Sequence, residues 1–338
     1  MDSLLRATEI FGKLIFCVPA NALLESWRLG KFCKLKIILL SLVHVILLFE
    51  GLVLFFDTTF NNSVAVVTLS PRLSEHLGYY FQYVAVNFSD FIIRAAGLIF
   101  ASDASKLFLV LRLQGCKFVH TRSIPFIFML FSLLLVSGMV IGYAYALIKV
   151  NINFKLPSSY VLSIAPKDET SFLVYELANS IAASASILFS WFFVIVVSTC
   201  LVCWLRSHCE KCCRAVRESA AACMFDRKTK IEVACASLRL EFMSIREAFE
   251  GFGRIGGLIC LTLLVQCSLL FIRFLSEVAI PVKSTVAFSS DSHYFCYLLP
   301  FAAAIIGVLG SMMAKAVRGS MSQLIRLTQS LTGDCCCN

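Results

Sequence analysis

Residues 124–148 read IPFIFMLFSLLLVSGMVIGYAYALI, a run without a single charged side chain. About 20 predominantly apolar residues are enough for an α-helix to cross the hydrocarbon core of a bilayer. Other stretches of the chain have the same character, and we predict six membrane spans. They cover residues 35–56, 78–101, 124–148, 172–205, 255–279 and 293–314. The predicted fold is therefore an all-α, polytopic transmembrane helical bundle.

The composition of the whole chain agrees with this prediction. Of its 338 residues, 59% are hydrophobic and only 15% are charged, and the mean hydropathy is +0.84. Soluble domains contain about one quarter charged residues, so the composition excludes an ordinary water-soluble enzyme. The net charge is +9, and the Lys and Arg residues are concentrated in particular loops, as the positive-inside rule predicts for cytosolic segments of membrane proteins. We therefore expect no nucleic-acid partner.

The distribution of Lys and Arg predicts the topology. The basic segments are the amphipathic N-terminus (1–34), the loop 106–123, the helical segment 206–254 and the tail 315–338, and all are assigned to the cytosol. Spans one to four then occupy residues 35–205, and spans five and six occupy 255–314. The chain is thus predicted to be a multi-pass plasma-membrane protein with both termini cytosolic. The sequon at Asn61 falls in a predicted outer loop and is a candidate glycosylation site.

The basic segment 206–254 also carries an apolar stripe. Its members recur at steps of four and three, which is one face of an α-helix. They are Ile231, Cys235, Leu238, Phe242, Ile245, Phe249 and Phe252. No proline separates this stripe from the fifth span, so we expect one long helix that extends beyond the membrane and packs against the end of the fourth span. Its role is either structural support or a platform for oligomerisation or gating.

Polar residues near the outer ends of the spans are the candidate ligand-binding residues. Asp90 and Arg94 lie four residues apart in the second span, so they share a helix face and can pair. An ionisable residue at this depth marks a functional site by default, and the alternatives are a structural ion pair or a ligand or ion pathway. A small-molecule pocket in the outer half of the bundle is predicted from Tyr83, Asn87, Asp90, Glu176 and Asn179.

The cysteines raise the question of lipidation or metal binding. Cys209, Cys212 and Cys213 follow the fourth span, and Cys335, Cys336 and Cys337 end the sequence. Cysteines beside a membrane span are common sites of S-palmitoylation, so both groups are candidate lipidation sites, with unmodified thiols as the alternative. A structural zinc site usually shows a second spaced cysteine pair. None is present, and we predict no metal site.

Catalytic signatures are missing from the sequence. It contains no H-E-x-x-H, no G-x-S-x-G and no phosphate-binding G-x-x-x-x-G-K-[ST]. The chain is therefore predicted to be neither an enzyme nor a binder of a cofactor.

The layout resembles the invertebrate gustatory receptor superfamily. The resemblance rests on the order of the spans and on the run IREAFEGFG, residues 245–253, which leads from an amphipathic helix into the fifth span. The cysteine-containing segment 293–297 that opens the sixth span is also similar. The resemblance implies a chemoreceptor that binds a small extracellular molecule and, as a tetramer, opens a cation channel.

One feature of that family is expected to be missing here. Its members have a seventh span that ends in a Thr-Tyr, apolar run, Gln-Phe signature and lines the pore. Residues 315–338 contain no apolar run long enough for such a span. The leading interpretation remains chemoreception, with a small-molecule ligand, membrane lipid and a homo- or hetero-oligomer as partners. The alternatives are a solute transporter that uses Asp90 and Arg94, and a membrane scaffold or accessory subunit.

Overall fold

The fold is all-helical wherever the structure describes it. A computed structural model describes residues 1–14, 89–97, 99–120, 122–153, 169–221, 224–279 and 292–332. The elements are α1 (Asp2–Leu14), α2 (Ala101–Leu113), a 3-10 turn (Gly115–Phe118), α3 (Ile124–Asn153), α4 (Glu169–Ala221), α5 (Met224–Ala279) and α6 (Ser292–Thr332). Residues 89–97 are also helical and lead into α2. These ranges contain no strand, which confirms the all-α prediction.

Four helices are long and apolar enough to cross a membrane. Their apolar segments are Ile124–Gly142, Ser184–Glu218, Glu232–Ile272 and Pro300–Arg326. They overlap the third to sixth predicted spans, with bounds displaced by up to about two dozen residues. The first predicted span, 35–56, lies outside the described residues, and the second, 78–101, is described only from residue 89 onwards. The structure therefore supports four of the six spans.

Three of the helices are much longer than a bilayer is thick. At 1.5 Å per residue, the 53 residues of α4 and the 56 residues of α5 extend over about 80 Å. The hydrocarbon core of a bilayer measures only about 30 Å. The predicted helix that continues from the apolar stripe into the fifth span is confirmed as α5. In the N-terminal part of α5, Cys235 and Leu238 pack against Cys212 of α4 and Leu324 of α6.

The interior of the bundle is organised around α4. Of the apolar segment of α4, 89% is buried inside the protein, against 33% for α3 and 22% for α6. Helices α1, α2, α3, α5 and α6 all pack against it. The aromatic ring of Phe193 on α4 lies 5.8 Å from that of Phe108 on α2 and 6.1 Å from that of Phe252 on α5. A helix that is apolar on every side is expected in such a central position.

The N-terminal helix α1 is docked on this core. Leu5 is completely buried, and the ring of Phe11 lies 6.5 Å from that of Phe189 on α4. On the opposite side, Arg112 of α2 faces Asp2 at 3.6 Å and Glu9 at 3.7 Å. Helix α1 is thus the amphipathic segment that the sequence predicts, with its apolar side against α4 and acidic groups toward α2.

Candidate functional site

A small cavity opens between α3, α4, α5 and α6, near the N-terminal end of the buried part of α4. Its volume is about 30 Å³. The lining residues are Val136, Met139 and Val140 from α3, Ile187 and Trp191 from α4, Gln266, Cys267 and Leu270 from α5, and Phe301, Ala302 and Ile305 from α6. We call it the four-helix pocket. It has the predominantly apolar lining that is typical of small-molecule sites.

Gln266 supplies the one side-chain amide of the four-helix pocket. The residue is only 3% exposed, and no hydrogen bond to its amide is present within the described ranges. The amide oxygen and nitrogen of Gln266 are not among the fully buried side-chain atoms without a partner, so the pocket leaves room beside them for a ligand or a water to form a hydrogen bond. Gln266 is therefore positioned to orient a polar group of an otherwise apolar ligand.

Helix α6 provides the wall of the four-helix pocket that contains a proline. Phe301 is 41% exposed, whereas Ala302 and Ile305 beside it are buried. Pro300 lies inside the helix directly before Phe301. Proline lacks the N–H that would continue the helical hydrogen bonds, so a helix bends most easily at such a position. The pocket can therefore open toward the outside of the bundle by a movement of Phe301.

The predicted ion pair between Asp90 and Arg94 is present. Arg94 Nε donates to Asp90 Oδ2 over 2.9 Å, and Arg94 Nη2 donates to Ser186 Oγ on α4 over 3.3 Å. Both charged residues are buried, with exposed fractions of 8% for Asp90 and 2% for Arg94. Asp90 Oδ1 is buried and has no hydrogen-bond partner in the part of the chain described. The pair joins residues 89–97 to α4 at the height of the four-helix pocket.

The structure describes few of the other predicted ligand-binding residues. Tyr83 and Asn87 lie outside the described ranges, as does the candidate glycosylation site Asn61. Glu176 and Asn179 belong to the first turns of α4, but their side chains are not among those described. Asp90 faces Arg94 and does not line the four-helix pocket. The outward pocket assembled from the sequence therefore stays a prediction.

The residues that do line a cavity carry only weak signals in the sequence. Gln266 is the one Asn or Gln in the predicted fifth span, 255–279. A single amide side chain within an apolar span is uncommon, and such polar residues are candidate functional positions. Trp191 and Phe301 look like ordinary apolar positions of a membrane helix, so only the three-dimensional arrangement identifies them.

Polar side chains join the helices below the four-helix pocket. His208 on α4 is fully buried. Its Nε2 donates to the carbonyl oxygen of Leu238 on α5 over 3.0 Å, and its Nδ1 is 2.6 Å from the Ser320 hydroxyl of α6. Glu241 of α5 accepts hydrogen bonds from Trp204 Nε1 at 3.1 Å and from Lys211 Nζ at 2.7 Å. These contacts fix the lower parts of α4, α5 and α6 to one another.

The candidate lipidation sites differ in accessibility. Cys209 and Cys213 are half-buried, whereas Cys212 is completely buried beside His208. Acylation of Cys212 would require the packing between α4 and α5 to open, so Cys209 and Cys213 are the better candidates in this group. Cys335, Cys336 and Cys337 lie outside the described residues. Among the residues that the structure describes, no three His, Cys, Asp or Glu side chains are grouped to hold a metal ion.

Cys116 has a different environment from the cysteines of α4 and α5. It belongs to the 3-10 turn and is half-buried. A hydrogen bond with Cys200 of α4 lowers the pKa of the Cys116 thiol, and this effect outweighs the opposing effect of burial. The turn is therefore in direct contact with the central helix.

Comparison with known proteins gives no assignment. No family model, curated protein or solved structure matches this chain.

Proposed function

We propose that the chain is a multi-pass plasma-membrane receptor that detects a small, largely apolar extracellular molecule. The observation that supports this most directly is the four-helix pocket, whose apolar lining contains the Gln266 amide, and no described residue forms a hydrogen bond with that amide. The resemblance to the gustatory receptor superfamily points to the same class of function. In this proposal both termini are cytosolic and the four-helix pocket lies in the outer half of the bundle.

The ligand enlarges the pocket when it binds. A cavity of about 30 Å³ accommodates only one or two water molecules. An organic ligand therefore has to displace a wall, and Phe301 next to Pro300 is the wall that moves most easily. Because Phe301 is exposed on a helix that faces lipid in this proposal, an apolar ligand reaches the pocket through the membrane.

Movement at the pocket is transmitted along α5 and α6. Both helices line the pocket and continue without interruption into the lower part of the bundle. There, Ser320 of α6 and Leu238 of α5 are tied to His208 of α4. In the resembled family, ligand binding opens a cation channel formed by four subunits. We propose the same consequence for an assembly of this chain with copies of itself or with related subunits.

The test uses substitutions on α5. Cells that express the chain, alone and together with a related subunit, are exposed to a panel of small apolar alcohols and ketones, and cation influx is recorded. Gln266→Leu is expected to shift the half-maximal concentration of an active compound by about tenfold, the value of one lost hydrogen bond. Ser268→Ala is the matched control, because the Ser268 hydroxyl donates only to the carbonyl of Leu264 within its own helix.

Two outcomes would contradict the proposal. One is a response that Gln266→Leu and Ser268→Ala change equally. The other is the absence of any response in every subunit combination when the protein is present at the cell surface.

A solute transporter is the second candidate, and Asp90 is the observation that favours it. Asp90 Oδ1 is buried and unpartnered within the described ranges, and buried ionisable groups in membrane helices mark ion and substrate pathways. Asp90→Asn separates the two functions. A transporter loses substrate flux in this variant while the protein still reaches the cell surface in its folded form, whereas a receptor that folds keeps its response with a shifted ligand concentration.

A further inference from the structure

Four exposed cationic or imidazole side chains are gathered at the corner between α2 and α3. Lys117 belongs to the 3-10 turn, His120 and Arg122 follow it, and Arg206 comes from the neighbouring part of α4. We call this set the basic corner. It lies at the N-terminal end of α3, about three turns from the residues of α3 that line the four-helix pocket, and plays no part in the proposed ligand site.

Hydrogen bonds connect the described residues of the basic corner to the first turn of α3. The Ser123 N–H and hydroxyl both donate to the carbonyl oxygen of His120, over 3.0 and 2.7 Å. The N–H groups of Phe126 and Ile127 in turn donate to the carbonyl oxygen of Ser123 over 3.0 and 3.1 Å. The turn therefore presents its side chains from a defined position at the start of α3.

Contacts with α4 bring Arg206 to the same place. The 3-10 turn packs against α4, Ser123 lies near the Cys203 thiol, and Lys211 Nζ lies 4.5 Å above the ring of Phe118. Arg206 lies between Cys203 and Lys211 on α4. The turn thus contacts the central helix at positions that flank Arg206 in the sequence, and both Ser123 and Arg206 lie near Cys203.

The positive charge of the basic corner is not neutralised by the described part of the protein. Lys117, Arg122 and Arg206 form no ion pair with any described residue, and Glu210, one turn from Arg206, forms none with it either. The other nearby acids are engaged elsewhere. Glu241 pairs with Lys211, while Asp2 and Glu9 face Arg112. With the charge of Glu210 counted against them, these three cations leave the corner with a net positive charge, which indicates an anionic partner.

The position of the basic corner identifies the chemistry of that partner. Immediately after it, α3 exposes Ile124, Ile127 and Phe131, with exposed fractions of 70%, 58% and 64%. In the proposed membrane placement these side chains contact lipid tails, so the basic corner lies at the depth of the lipid headgroups. Basic clusters at the cytosolic end of membrane helices bind anionic headgroups. A headgroup with several phosphates matches three positive charges better than a single phosphate does.

We propose that the basic corner binds the phosphorylated headgroup of an inositol phospholipid. The proposal rests on the membrane placement of α3 and does not depend on the receptor function. Arg122 and Arg206 contact the phosphates, Lys117 adds charge, and His120 donates a hydrogen bond. Bound lipid ties the α2–α3 corner to the lower part of α4.

The test measures lipid binding to the purified full-length chain in neutral detergent. A fluorescent short-chain inositol phospholipid with two ring phosphates is titrated, and its polarisation is recorded. Arg122→Ala/Arg206→Ala is expected to weaken binding by at least about tenfold, since each positive charge near a headgroup contributes measurably to affinity. Arg214→Ala/Arg217→Ala, which removes the same charge about 12 Å further along α4, is expected to change binding by less than about twofold.

Three results would overturn the proposal. The first is equal weakening by both double variants, and the second is equal binding of a phosphatidylcholine probe. The third is displacement of the probe by soluble inositol trisphosphate at the same concentration as by the lipid, which would make a free polyphosphate the ligand.

Should Arg122→Ala/Arg206→Ala fail to fold, Lys117→Ala and the charge-conserving Arg122→Lys/Arg206→Lys decide the question. Lys117→Ala is expected to weaken binding several-fold, and Arg122→Lys/Arg206→Lys is expected to retain most of it. Unchanged binding by Lys117→Ala overturns the proposal. None of these measurements requires a sensory ligand.

Discussion

At the scale of single residues, the ion pair between Arg94 and Asp90 is the most sensitive point of the bundle. Arg94→Met is expected to destabilise the protein by about 3–5 kcal/mol, because it leaves the buried Asp90 carboxylate without its charged partner. The apparent midpoint of thermal unfolding in detergent, followed by the loss of the monodisperse elution peak, measures this effect.

The double variant Asp90→Leu/Arg94→Met tests the cause. It removes both charges together, and a buried ion pair replaced by apolar side chains is often tolerated. We therefore expect the double variant to be more stable than Arg94→Met alone. If the double variant is as unstable as Arg94→Met, packing and not charge is the contribution of Arg94.

Two glycines of α5 provide a second test at this scale. A Cβ atom added at Gly256 would lie 2.5 Å from Cε2 of the Phe252 ring, whereas one at Gly253 meets nothing within 4 Å. The Phe252 ring stacks on Phe193 of α4, so it has little room to move. Gly256→Ala is expected to destabilise the protein by about 1–3 kcal/mol, whereas Gly253→Ala is expected to be neutral or slightly stabilising. Equal midpoints of thermal unfolding for the two variants would contradict the packing between α4 and α5.

Sequence reasoning at the residue scale succeeds where a short-range rule applies. The four-residue spacing of Asp90 and Arg94 predicts their pair, because residues at this spacing share a helix face. The partner of Arg94 on α4, Ser186, and the lining of the four-helix pocket are contacts between distant parts of the chain. Neither spacing nor composition determines which distant residues meet, so Gln266 and Trp191 were not predicted.

At the scale of elements, two matched substitutions in α1 test how this helix is attached to the core. Leu5 is completely buried, while Ile10 on the same helix is 56% exposed. Leu5→Ala is expected to destabilise the attachment of α1 by about 2–5 kcal/mol because it leaves a cavity against the core. Ile10→Ala is expected to change stability by less than about 0.5 kcal/mol.

Hydrogen exchange of α1, read by mass spectrometry, checks this prediction. Faster exchange in the Leu5→Ala variant than in the Ile10→Ala variant is the expected result. Equal exchange in both would show that α1 is not held by Leu5.

The elements themselves follow well from the sequence. The apolar stripe of the basic segment predicts α5, and Cys235, Leu238 and Ile245 are buried as that stripe requires. The side of α5 away from α4 was not foreseen, since Val233, Leu240 and Met243 are 66%, 71% and 52% exposed. Periodicity reveals which residues share a face, but a second apolar face becomes visible only when the neighbours of the helix are known.

At the scale of the whole molecule, the arrangement places the helix with the most deeply buried apolar segment, α4, in the middle of the others. The sequence predicts the third to sixth spans but not their order around a centre. That α4 is central follows from contacts with five other helices, and these depend on long-range packing. The lower parts of α4, α5 and α6 extend this packing beyond the apolar segments through His208 and Glu241.

Labelling with a small apolar diazirine that partitions into the bilayer tests this architecture and the four-helix pocket together. After photolysis in native membranes, mass spectrometry locates the carbene adducts. The expected adducts are on the outward side of α3, at Phe131 and Leu134, and on α4 at the exposed Val174 and Ile181 and around Ile187 and Trp191, where the reagent enters the pocket. Residues 194–205 of α4 are expected to stay unlabelled. Labelling of 194–205 to the same extent as Leu134, or no labelling beside Trp191, would contradict a central α4 with an apolar ligand pocket at its side.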